Sequence, residues 1–149
     1  MPRPRLKSPI ALILVACLMV ACSENELRKA AEAAANIKDG VIAAHKVTTE
    51  LYSQGFLSPS EAEKVTLGLL AITRANRTFN DRASQLSQMT PEARTELRVL
   101  FGSVLGAIDQ LNRDGILTLG NDDAKQKLAV ALKVIQTAAS IIWSLLERK

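Results

Sequence analysis

The feature that most constrains this chain is the spacing of its apolar residues. From Leu27 onward they recur in alternating steps of three and four, interrupted three times by helix-breaking residues. The first run is Leu27, Ala30, Ala34, Ile37, Val41, Ala44, Thr48 and Leu51. The second is Ala62, Val65, Leu69, Ile72, Asn76, Phe79, Ala83 and Leu86. The third is Ala93, Leu97, Leu100, Val104, Ile108 and Leu111, and the fourth is Leu128, Leu132, Ile135, Ala139, Ile142 and Leu146. Such spacing places one apolar stripe along one face of a helix and excludes the two-residue alternation of a half-buried strand. Aromatic residues make up only 3% of the chain, which further disfavours a sheet. The fold class expected is all-α.

The punctuation sets the helix ends. Ser23 and Glu26 have the spacing of a capping box, and Gly55 is expected to stop the first helix. Ser58-Pro59-Ser60-Glu61 is an N-cap, a first-turn proline and a capping-box acid. Thr90-Pro91-Glu92 and Asn121-Asp122-Asp123 open the third and fourth helices. The third is expected to end near Asp114-Gly115, and Arg148-Lys149 to sit at the negative end of the fourth. Short connections make successive helices antiparallel, so the expected architecture is an up-down four-helix bundle of two hairpins. Glu50–Ser58 parallels Gln110–Thr118 at an offset of 60, which suggests two similar hairpins. Their turn residues Phe56, Leu57, Ile116 and Leu117 are expected to plug the bundle end.

The first 22 residues read differently. A basic segment, Met1–Lys7, precedes the apolar run Ile10–Val20, then Ala21-Cys22 and the polar Ser23-Glu24-Asn25-Glu26. This is the order of a secretory signal, and the run is shorter than the ~20 residues a spanning helix needs. Leu18-Met19-Val20-Ala21-Cys22 resembles the bacterial lipobox, with Met19 where leucine is usual. The resemblance implies a signal peptide over residues 1–21, cut between Ala21 and Cys22, and acyl chains (palmitate among them) on Cys22. It implies a mature domain over 22–149, anchored in the cell envelope. Ser23 in place of an aspartate implies the periplasmic face of an outer membrane in a Gram-negative host. Leu14-Val15-Ala16-Cys17 fits the same pattern, but cutting there leaves about seven apolar residues before the cut and an apolar tail after it. Cys22 is therefore preferred to Cys17.

Three of the 19 basic residues precede the apolar run, and all 15 acids follow Cys22, leaving 16 bases against 15 acids and a net charge of +1 in the mature part. That balance argues against a nucleic-acid partner. With Cys17 removed and Cys22 acylated, no disulfide can form, so packing alone must hold the domain.

Residues that could carry chemistry are few. His45 is the single histidine, and no zinc, di-iron, triad or phosphate-loop pattern accompanies it. No cofactor and no enzymatic role are expected. Arg74, Arg77 and Arg82 around Asn76 could form an anion site, or Asn76 could simply fix helix register with the arginines solvated. Gly102 and Gly106 are expected to pack closely on a neighbouring helix of the bundle. Ile141, Ile142, Trp143, Leu145 and Leu146 form an apolar end to the fourth helix. They are read first as core, and otherwise as a partner-binding or membrane-interfacial face. The expected role is a non-enzymatic, lipid-anchored module that binds an envelope protein or supports envelope structure. The alternatives are a membrane-active fourth helix, or a small-ligand bundle with its pocket beside the Ala-rich first helix.

Overall fold

The computed structural model describes the backbone of residues 9–148 and the side chains of residues 25–148. It is all-helical across them, with four helices: α1 (Pro9–Ser53), α2 (Pro59–Ser84), α3 (Pro91–Gln110) and α4 (Asp122–Glu147). A wide π-type turn, Leu111–Ile116, extends α3. α1 packs on α2 and α4, and α3 packs on the same two helices. Cross-links show the directions. The amide of Asn76, 17 residues after the start of α2, donates to Ala34, 19 residues before the end of α1, at 2.9 Å. Arg82 at the end of α2 pairs with Glu96 at the start of α3.

The expected stripes form the core. Ile37, Ile72, Leu97, Ile135 and Ile142 are completely or almost completely buried. Burying an aliphatic side chain of this size stabilises by about 1.5–3 kcal/mol. In α3, Phe101 takes the buried place expected of Leu100, which is half-buried, as are Leu27, Ala62 and Leu86 of the other stripes. Steps of four from Ala93 through Leu97 to Phe101 follow the 3.6-residue helix more closely than a step of three. They let the Phe101 ring meet Phe79 edge-on, with centroids 5.0 Å apart and an interplanar angle of 62°.

The caps of α2, α3 and α4 form as their residues dictate. Ser58 accepts from the Glu61 amide while Glu61 accepts from the Ser58 amide, and Pro59 follows Ser58. Thr90 and Asn121 accept from Ala93 and Ala124. At the end of α1, Phe56 N–H donates to Leu51 and Gly55 N–H to Tyr52, the paired bonds of a Schellman motif. Gly55 takes a φ of +76° there. The Glu26 carboxylate, expected to fold back on a cap at Ser23, pairs with Arg94.

Candidate functional site

Two assemblies of polar groups involve α1. The first ties three helices together at one end of the bundle. Arg94, in the first turn of α3, donates through Nη2 to Glu26 of α1 at 2.8 Å and through Nη1 to the Leu145 carbonyl of α4. Arg98, one turn on, donates to the Leu146 carbonyl at 2.7 Å. The last carbonyls of a helix lack intrahelical partners and carry partial negative charge, so two guanidinium groups there satisfy both needs. The Arg94–Glu26 pair is largely shielded from water. Sequence reading placed Arg148-Lys149 near this end of α4; Arg94 and Arg98 reach it from α3 as well, and Lys149 lies outside the described residues. The readable trace is an Arg-x-x-x-Arg spacing on α3, which becomes meaningful only once α3 and α4 are neighbours.

The second is a cleft of about 500 Å³ between α1 and α2, with Ala31, Ala34 and Ala35 on one side and Thr73, Asn76 and Asn80 on the other. Alanine has no side chain beyond Cβ to fill such a space. Lys38 and Arg77 also line it, and no acid does. Asn76 Nδ2 is bonded to Ala34, but its Oδ1 is buried without a hydrogen-bond partner. A lone buried acceptor costs free energy that a donor brought by a ligand would recover.

The other candidate residues are scattered. Arg77 lies 3.8 Å from Asp81, and Arg82 forms a two-pronged pair with Glu96 at 2.7 and 2.8 Å while Arg74 stands exposed. The three arginines therefore do not converge on one anion. The Arg82 guanidinium holds the Glu96 carboxyl below its ordinary range. His45 is exposed, and among the described residues no group of three His, Cys, Asp or Glu could hold a metal ion. Of the apolar end of α4, Ile142, Leu145 and Leu146 are core residues, Trp143 is half-buried and Ile141 is exposed. These five residues thus do not form one external face. α4 is long and apolar enough to cross a membrane by length and composition, while nine of its side chains are buried in the bundle.

Gly102 and Gly106 correct the close-packing expectation, because nothing approaches either within 4 Å of an added Cβ. Close approaches occur at Gly40, Gly68 and Gly115, where such an atom would lie 2.8 Å from Ile135, 2.7 Å from Leu111 and 2.8 Å from Leu111. Ala21 and both candidate lipidation residues, Cys17 and Cys22, have side chains outside the described residues. Comparison with family models, curated proteins and solved structures finds no match to this chain.

Proposed function

We propose that the chain is a lipid-anchored envelope protein: a signal over residues 1–21 is removed before an acylated Cys22, leaving an up-down bundle of two hairpins. Its role is non-enzymatic, binding an envelope protein or supporting envelope structure. The observation that carries the reading is the order of the first 26 residues: basic, apolar, small residue, cysteine, polar. In support, the first side-chain bond among the described residues that joins α1 to another helix, Glu26 to Arg94, lies four residues beyond Cys22. At 1.5 Å per residue that separation is about 6 Å, so the bundle would stand directly at the bilayer with no tether. Two or three acyl chains hold firmly where one is marginal.

The test is the intact mass of protein purified from membranes of cells making the full chain, beside Cys22→Ser and Cys17→Ser variants. A mass beginning at residue 22 plus acyl chains, lost only in Cys22→Ser, is expected. An uncut and unlipidated mass would overturn the reading.

The α1–α2 cleft favours a second role, small-ligand binding. Its Lys38 and Arg77, with no acid in the lining and the amide side chains of Asn76 and Asn80 beside them, suit a small anion. Thermal-shift screening of such compounds against the protein and an Asn76→Leu variant tests it. A shift that persists in the variant would place binding elsewhere.

A further inference from the structure

α4 carries two heptad stripes. One faces the core. The other runs Val130, Val134, Thr137, Ile141 in steps of four, three and four, and every member is exposed. Val130, Val134 and Ile141 leave 65%, 56% and 45% of their surface in water. All four are β-branched, with stiff side chains that lose little freedom on packing against another helix. Beside this stripe lies an open groove of about 490 Å³ whose α1 side is formed by Asp39, Gly40 and Ala43. Ala43, exposed on this side, is small enough to let another helix approach.

The charges flanking the groove select the occupant. On a helical wheel, Lys133 lies on the flank of the exposed stripe that faces away from α1. Asp39 lines the groove from α1. Neither residue belongs to an ion pair among the described residues. A two-fold axis parallel to α4 carries the Lys133 flank of one copy to the Asp39 flank of the other, at the same height because Gly40 packs on Ile135. An axis perpendicular to the helices does not bring these flanks together.

We propose that this face binds a second copy of the chain, α4 beside α4 in parallel, with Lys133 of each copy meeting Asp39 of the other. The parallel orientation rests on the anchoring reading, since two chains held in one leaflet share a direction. Val130 to Ile141 spans only about 16 Å. That is short for the ~1,600 Å² of a stable interface, so association depends on both copies being confined to the membrane plane, which raises their effective concentration.

The experiment is thiol oxidation in membranes of cells making the full chain with Val130→Cys, Thr137→Cys or Ile141→Cys, beside the unsubstituted chain as background. A parallel pair brings each residue opposite itself, so Val130→Cys and Ile141→Cys should both cross-link above background. Asp39→Lys should lower the Ile141→Cys cross-link about twofold, and adding Lys133→Asp should restore it. A cross-link at Thr137→Cys alone would mean an antiparallel pair and overturn the proposal. So would no cross-link at any position, or labelling of Val134→Cys by a lipid-phase thiol reagent, which would make the bilayer the occupant. Cross-links at both positions in a chain whose mass shows no acyl group would keep the dimer and remove the anchor.

Discussion

The two hairpin connections begin with similar letters and solve different problems. Leu51-Tyr52-Ser53-Gln54-Gly55-Phe56-Leu57 and Leu111-Asn112-Arg113-Asp114-Gly115-Ile116-Leu117 match at leucine, glycine and a final apolar pair. In the first, Gly55 supplies a positive φ and the chain turns within five residues. In the second, the chain stays helical through the wide turn, and positive φ among the described residues occurs only at Gly55. Gly115 is there for space, since a Cβ would sit 2.8 Å from Leu111 Cδ1. The apolar pairs differ too: the first connection buries Leu57, the second position, whereas the other buries Ile116, the first, and later Leu119. Phe56 remains exposed under Lys127, 5.9 Å from its ring centre. Similar sequence here reflects a shared need to close a bundle end, met once by backbone conformation and once by removing a side chain.

Leu111 is the pivot of the second connection, pressed between Gly68 and Gly115. Leu111→Ala should lower stability by about 2–5 kcal/mol in denaturant unfolding. Gly68→Ala should cost about 1–3 kcal/mol through overpacking. In the Leu111→Ala background the same change should cost little, and additive costs in the double variant would show that the contact is not what constrains Gly68. Gly55→Ala should cost about 1–2 kcal/mol, because a Cβ is strained at that φ. Gly115→Ala should cost less, since only the movable tip of Leu111 stands in its way; equal losses at the two glycines would erase the distinction drawn between the turns.

The smallest expected effect comes from the residue that joins the two connections. Glu61 accepts from the Gly120 amide of the second connection at 2.8 Å and from Ser58 of the first. The Gly120 bond, then those of Ser58, lower its pKa from 4.5 to about 2. A carboxyl depressed in the folded state contributes stability that is full above pH 4.5 and lost as pH falls towards 2. Glu61→Gln should therefore flatten the stability profile across pH 2–4.5, with a modest loss at pH 7 because the site is open to water. An unchanged acid limb would remove Glu61 as the link.

Caps and core stripes were legible because they depend on residues three or four apart. Ser58 to Glu61, Thr90 to Ala93 and Asn121 to Ala124 are contacts of that kind. What escaped reading depends on residues far apart in sequence. Glu26 bonds 68 positions away, and Arg94 and Arg98 reach 51 and 48 positions to the end of α4. Phe101 displaced Leu100 because Phe79 waits on α2, and Gly40 proved constrained because Ile135 lies opposite.

The Arg94 junction bears on how the protein would carry mechanical load. A chain cut and anchored at Cys22, as proposed, would feel every tug at the turn of α1 that holds Glu26. Arg94 fastens that turn to α3 and, through Leu145, to the tail of α4. A pull along α1 must therefore slide several helices past one another at once, a shearing geometry, instead of peeling α1 away turn by turn. The bundle is braced at the point where an anchored protein would be pulled.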